Sequence, residues 1–324
     1  MQKLSIVIPT FNRREKLLRQ LHAIYNQPQS KDVEVIVLDN HSDYDCVQVV
    51  TLEFPKEQFP KLKVITHPYN IGGNMNISLC FYYATGDWLW MMSDDDVVEP
   101  DSLNTVLDDI RQHTGFIVLK YSLEGMPHSS YDNVTIESLN GLADYLEERK
   151  LLLGNLIFIS TGVFNLNRLK SVIGQIIEYG YDSMSAINPI IIGLDKKLGS
   201  VFFSKKFIIQ RNDPHDKLNQ GWSMSYHFII GRIVSILDYP FDSDGKTIRR
   251  ILYLNKDWNI YKLARSLFLL QDKTKMKIFH DRTYKFFYHG TRRLKAEIIF
   301  YCLYVFNFDL KERRFMKKSQ NEYI

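Results

Sequence analysis

The chain has 324 residues and a mass of 38.2 kDa, with 45% apolar and 24% charged residues. That composition excludes disordered, collagen-like and coiled-coil proteins and suits one large α/β domain with an appended region. The net charge of +4 hides an asymmetry: residues 1–150 hold 13 Lys/Arg against 22 Asp/Glu, whereas 246–324 hold 19 against 7, so the tail favours an anionic partner.

The elements follow in chain order. Leu4–Ile8 is a short apolar, β-branched run ended by Pro9, which reads as a buried parallel strand. Arg13–Asn26 has helical spacing, Val33–Leu38 is a second strand ended by Asp39-Asn40, and Leu62–Thr66 a third. Gly72-Gly73-Asn74 opens a helix expected to run through Ala84. Trp88–Met92 is a fourth strand ended by Ser93-Asp94-Asp95-Asp96, Asp101–His113 a helix, and Phe116–Lys120 a fifth strand. Such alternation predicts an open, Rossmann-like, mostly parallel sheet with helices on both faces. Ligands bind at the carboxyl ends of strands in such sheets, so Pro9-Thr10, Asp39-Asn40 and Asp94–Asp96 are expected to converge on one edge. Further on, Glu124–Ser138 reads as a polar connection, Leu139–Glu148 as a helix and Leu156–Phe164 as a strand. Segments 166–178 and 183–198 have helical character, Val201–Ile209 reads as a strand, and helices follow from Trp222.

The three cysteines, Cys46, Cys80 and Cys302, are odd in number and form no C-x-x-C, so reduced and mostly buried thiols are expected. The N-terminus lacks a signal-like apolar stretch, and no run reaches the roughly 18 apolar residues of a membrane span. A cytoplasmic protein is expected, at most peripheral on the membrane.

Three adjacent carboxylates at a strand end repel one another unless a cation is near. Asp94 and Asp96, one residue apart, can share a divalent ion that prefers oxygen ligands. The competing reading is a solvated acidic loop before the helix that follows Pro100.

Ser5-Ile6-Val7-Ile8-Pro9-Thr10-Phe11-Asn12-Arg13 resembles the opening motif of family 2 glycosyltransferases. Val33–Asp43 resembles their second strand with its Asp-x-x-Ser-x-Asp end, Asn70–Asn74 their Asn-x-Gly segment, and Ala84-Thr85-Gly86-Asp87-Trp88 with Asp94–Asp96 their Ala-x-Gly-Asp to Asp-x-Asp stretch. The resemblance covers residues 4–100 and implies a GT-A fold, a nucleotide-sugar donor, Mn²⁺ or Mg²⁺, and inversion at the sugar carbon. Carried over, it implies that Pro9, Thr10 and Asn12 line the nucleotide pocket, with Arg14 as a further candidate. Asp39 then bonds the base, most often uracil, because a carboxylate accepts an imide N–H. Gly72, Asn74 and Asp95 join the donor-binding set, Asp94 meets the ribose or a metal water, and Asp96 is the main metal ligand. Pro9 also reads simply as a strand terminator, and Gly72-Gly73 as a tight turn.

Inverting transfer needs a general base for the acceptor hydroxyl. The family often supplies it from a Glu-Asp pair, absent from 150–220 here. Glu178, Asp182, Asp195, Asp213 and Asp216 are the candidates; Asp182 is preferred, with helix capping as its competing role, and Asp213 follows. In the tail, basic clusters near 292–295 and 311–318 flank apolar Ile298–Phe308, a pattern suited to a membrane interface bearing a glycan or lipid-linked acceptor. No nucleic-acid motif accompanies the charge. The chain thus divides into a nucleotide-sugar half (1–120), an acceptor-side part (121–221) and a basic helical region (222–324). The alternatives are a nucleotidyltransferase, disfavoured because no Gly-rich loop follows the first strand, and a non-catalytic nucleotide-sugar binder.

Overall fold

The computed structural model describes residues 3–123, 130–151, 156–180 and 186–210, and beyond these 236, 238–243, 245–253, 273, 274, 277, 280, 281 and 290–306. Its centre is a sheet whose strands lie in the order β3-β2-β1-β4-β8-β6-β9-β7. β1 (Leu4–Thr10), β2 (Glu34–Asp39), β3 (Leu62–Thr66) and β4 (Trp88–Met91) are mutually parallel. β8 (Gly162–Asn165) runs antiparallel between β4 and β6 (Phe116–Ser122). β9 (Ser200–Phe207) lies parallel to β6, and β7 (Val134–Ile136) closes that edge antiparallel to β9. A separate two-stranded ladder joins β5 (Val97–Val98) to β10 (Ile209–Gln210).

Two apolar cores cover the two faces of the sheet. On one, α1 (Arg14–Tyr25), α2 (Cys46–Glu53) and α5 (Ser102–Gln112) bury Leu17, Leu21, Val50, Val106 and Ile110 against the strands. On the other lie α3 (Gly73–Ser78), α4 (Cys80–Tyr83), α6 (Leu139–Glu148) and the helices Ile173–Gly180, Asn188–Asp195 and Gly245–Tyr253. The strands carry apolar residues on both faces because both faces are covered. Cys46 and Cys80 are buried free thiols and Cys302 is partly buried.

Several boundaries differ from the sequence reading, each for a local reason. β1 continues past Pro9 to Thr10. Val7 faces β4, whose Met92 N–H donates to the Val7 carbonyl, and Asn40 N–H reaches the Thr10 carbonyl on the β2 side. Alternation therefore turns Pro9 toward β4 beyond its last pair, where the missing N–H costs nothing. The helix expected from 73 to 84 breaks at Leu79 into α3 and α4; Ser78 Oγ donates back to the Asn74 carbonyl at 2.9 Å, a bond that bends helices. The strand expected over Leu156–Phe164 forms only from Gly162, because a tight turn at Ile159–Thr161 takes the chain out of the ladder. β7 lies inside the stretch read as a polar connection; it is three residues long and carries little periodicity.

The amino ends of the strands are tied by a polar web. Ser5 Oγ donates to Glu34 Oε2 at 2.6 Å and accepts from Gly86 N–H at 2.8 Å. Asp87 accepts from the Lys3 N–H and from Asn167 Nδ2, and these bonds hold its carboxyl below the usual range. A Cβ on Gly86 would stand 2.7 Å from the Lys3 carbonyl oxygen and 2.9 Å from Ser5 Oγ, so only glycine fits there without backbone movement. The Gly86-Asp87 part of the Ala-x-Gly-Asp segment therefore sits at the edge remote from Asp94 and secures the architecture.

Candidate active site

The three polar strand ends do converge. Thr10 of β1 pairs in register with Asp39 of β2, and the chain leaving β4 brings Asp94 to Thr10. Thr10 Oγ1 donates to Asp94 Oδ2 at 2.7 Å. The Arg13 guanidinium donates through Nη1 to Asp94 Oδ1 at 2.8 Å and to Asp95 Oδ2 at 3.0 Å. Ser93 Oγ bonds the other Asp95 oxygen, and Arg19 reaches the Asp95 carbonyl. An arginine from the β1–α1 loop thus supplies the positive charge that the acidic triplet demands. Asp94 is 3% exposed, and burial pushes its carboxyl up to about 6; neighbouring Asp95 adds to the rise, and Arg13 and Thr10 oppose it.

Asn12 adopts a left-handed backbone (φ 56°), a conformation asparagine tolerates better than most residues. Its side chain exchanges two hydrogen bonds with Asp43, Nδ2 donating to the carboxylate and Oδ1 accepting the Asp43 N–H, and its own N–H reaches Ser42 Oγ. This stitches the loop after β1 to the loop after β2. Asp39 is fully buried. Its Oδ1 accepts the N–H and the hydroxyl of Ser42, while Oδ2 is buried without a hydrogen-bond partner. An orphaned carboxylate oxygen is costly unless something else donates to it.

A cavity of about 450 Å³ lies at this edge. Pro9, Thr10, Asn12 and Asp94 line it, as the sequence reading expected. Arg13 lines it as well, whereas Arg14 stands exposed at the start of α1. Gly73 and Asn76 line it, whereas the expected Gly72, Asn74, Asp39, Asp95 and Asp96 are not among its lining residues; Gly72 (φ 86°) is the N-cap of α3 and Asn74 lies in the first turn. Behind them runs an asparagine web. Asn40 Nδ2 donates to Asn70 Oδ1, Asn40 Oδ1 accepts the Ile71 N–H, and Asn76 Nδ2 donates to the Leu38 carbonyl. Ser93 and Ile159 complete the wall on the β4 side.

Asp95 faces Arg13 and Ser93, and Asp96 is half-buried beside it. Among the described residues no group of three or more His, Cys, Asp or Glu side chains is set to hold a metal; the triplet offers hard oxygen donors of the kind Mg²⁺ and Mn²⁺ take in ones and twos. Asp182, Asp213 and Asp216 all lie outside the described residues. Of the other base candidates, Glu178 is exposed on its helix, and Asp195 is buried where its carboxylate accepts Asp242 N–H, Ser243 N–H and Ser243 Oγ. Asp195 is a structural clamp on the segment 242–243.

Sequence reasoning gave no role to Arg13, Asn76, Ser93 and Ile159, and it placed Asn40 at the converging edge without assigning it one. Arg13 had a signal: it is the last residue of the opening motif, and a triplet of acids needed a cation. Ile159 had none, since its place follows from the turn that interrupts the expected strand.

The model of the family "Glycosyl transferase family 2" matches residues 5–176. Among curated proteins, GalNAc(5)-diNAcBac-PP-undecaprenol beta-1,3-glucosyltransferase of Campylobacter jejuni is 33% identical over 107 residues, which are 33% of this chain and 34% of that protein. Abequosyltransferase RfbV of Salmonella typhimurium is 31% identical over 101 residues, 31% of this chain and 30% of that protein. The matches thus span about a third of the length of these relatives. Among solved structures, Staphylococcus aureus TarS 1-349 in complex with UDP-GlcNAc superposes with a TM-score of 0.59 at 16% identity, covering 88% of this chain and 80% of that one. Mannosyltransferase PcManGT from Pyrobaculum calidifontis gives a TM-score of 0.52 at 12% identity over 95% of this chain and 88% of that one. These likenesses establish the GT-A fold. With the family model covering more than half of its length, the chain belongs to glycosyl transferase family 2.

Proposed function

We propose that this glycosyltransferase moves a sugar from a UDP-linked donor to a glycan or lipid-linked oligosaccharide acceptor in polysaccharide assembly, with inversion. The observation that carries the donor reading is the buried, unpartnered Oδ2 of Asp39 at the carboxyl end of β2. It is an acceptor lacking a donor, and the imide N–H of uracil supplies one. The UDP-GlcNAc complex of the structurally similar TarS is consistent with this reading.

In this reading Thr10 and Arg13 hold Asp94 rigidly and keep part of the triplet's charge neutralised, so that the carboxylates are oriented before the donor arrives. Asp96, with Asp94, would hold Mn²⁺ or Mg²⁺; a bound divalent ion neutralises a leaving nucleoside diphosphate. The asparagine web behind Asn40 and Asn76 fixes the opposite wall. The acceptor proton goes to Asp182, with Asp213 as second candidate. Turnover unchanged in both Asp182→Asn and Asp213→Asn would exclude the pair.

The acceptor reading draws on the tail. The helix Gly290–Phe306 buries Ala296 and Phe300 on one side and exposes Leu294, Ile298 and Tyr301 on the other, at i, i+4 and i+7. Arg293 and the exposed Lys295 border that apolar stripe. An apolar face with basic borders suits peripheral contact with an anionic membrane through 292–318, of which 307–318 lie outside the described residues. Among the described residues no helix is long and apolar enough to cross a membrane.

Thermal unfolding with UDP, GDP, CDP and dTDP, each with and without Mn²⁺, tests the donor. UDP with Mn²⁺ should stabilise by about 2.7 kcal/mol at a hundredfold excess over Kd. A panel in which no nucleotide shifts the transition defeats the proposal. Flotation with anionic vesicles tests the tail, and a Leu294→Glu, Ile298→Glu variant that floats like wild type removes the membrane contact.

A further inference from the structure

We propose that Lys120 is a positioning residue for the active-site wall: its buried amine grips the carbonyls of Leu156 and Phe158 and thereby sets the Ile159–Thr161 turn against Ser93 and the cavity.

Lys120 is 1% exposed and lies in the middle of β6, paired with Gly162 of β8 and Phe203 of β9. Strand alternation puts it on the same sheet face as Val118, where an apolar residue would be expected. An amine there is expensive, and burial pushes it down to about 7. Among the described residues no carboxylate pairs with it. Its partners are two backbone carbonyls: Leu156 at 3.1 Å and Phe158 at 2.7 Å. A methionine would fill the same space at lower cost but would leave both carbonyls bare.

Those carbonyls precede the turn at which the expected strand is interrupted. The turn is held from the β4 side as well. Trp90 Nε1 donates to the Ser160 carbonyl at 2.8 Å, and the Ser93 N–H donates to Ser160 Oγ at 2.9 Å. Ile159, at the start of the turn, lines the cavity together with Ser93 and Asp94. Lys120 is not itself a lining residue, and its hydrogen bonds go to Leu156 and Phe158, which are not lining residues either. It acts through the turn, opposing the pull of Trp90 and Ser93, and so fixes how close Ile159 stands to the acidic triplet.

Hydrogen–deuterium exchange on the full chain, wild type against Lys120→Met, tests this without a ligand. Exchange over 90–95 and 156–163 should accelerate about tenfold while β1 and β2 keep wild-type protection. Unchanged exchange at those two segments, or a uniform rise across the sheet, overturns the proposal; Lys120→Gln serves the same comparison if the Met variant does not fold. The second readout rests on the nucleotide reading and uses UDP with Mn²⁺. Lys120→Met and Ser160→Ala should each raise Kd about tenfold, and the double variant should be no weaker than the worse single one, because both act through one turn. Losses that multiply defeat the shared route. A wild type that binds no UDP removes the nucleotide reading, and the exchange experiment still decides the role of Lys120.

Discussion

The two halves of the sheet place polar residues by different means. In β3-β2-β1-β4 every strand runs the same way, so every carboxyl end falls on one edge. Thr10, Asp39 and Asp94 meet there with little further arrangement. In β8-β6-β9-β7 directions alternate at β8 and β7. That half reaches the cavity through Ile159, in a bent segment held by a buried lysine and a tryptophan. Parallel topology concentrates function by default, whereas a mixed sheet needs a dedicated tether. The comparison predicts that variants at the parallel edge act directly on charge and ligand, and that Lys120 acts through position.

The largest effect is expected at Arg13. Arg13→Met leaves Asp94 buried without its counter-charge, which costs about 3–5 kcal/mol of stability in urea unfolding; a loss under 1 kcal/mol would mean that the guanidinium is not what neutralises the triplet. Asp96→Asn should lower Mn²⁺-dependent hydrolysis of a UDP-sugar by about 10²–10³ while leaving the fold intact. Activity kept within twofold would move the metal ligand elsewhere.

Lys120 gives a pH signature above neutrality, whereas Asp94 at the parallel edge is raised only to about 6. Its amine is lowered to about 7 in the folded chain, whereas the unfolded chain holds that proton until about 10.4. Between those values the unfolded state binds more protons, so stability rises with pH across that window, and the loss on acidification is complete once pH falls below about 7. Relative to Lys120→Met, the wild-type folding constant should gain up to about tenfold per pH unit from pH 7 to 9. Parallel curves for the two proteins would show that the amine is not desolvated.

The smallest effect sharpens base recognition. A carboxylate at Asp39 accepts from uracil, whereas an amide also donates, as cytosine N3 requires. Asp39→Asn should shift the UDP-to-CDP affinity ratio toward CDP by about tenfold. An unaltered ratio in competition binding would take Asp39 out of base recognition.

The same contrast explains how much was legible in the sequence. β1, β2 and β4 are mostly apolar, buried runs closed by polar residues, so these strands, the topology class and the converging edge could be read from residues 4–96. Arg13 carries a signal in closing the opening motif, but the helical spacing that begins with it masks its turn toward the acids; the left-handed Asn12 beside it only the backbone reveals. In the other half Leu156–Phe164 has the composition of a strand throughout. Tertiary hydrogen bonds from Lys120, Trp90 and Ser93 override that composition over Ile159–Thr161. Likewise Asp195 has the look of an available acid in sequence, and only its three donors from 242–243 show it to be occupied.

β4 has a consequence of its own. It is four residues long, and it begins where Gly86 and Asp87 are pinned to the far edge and ends three residues before Asp94. The strand therefore works as a ruler. One added or deleted residue would displace the triplet by about 3.3 Å and turn every following side chain to the opposite face. The glycine at one edge and the acids at the other are a single measured part, and the separation between them is as much a component of the site as the carboxylates themselves.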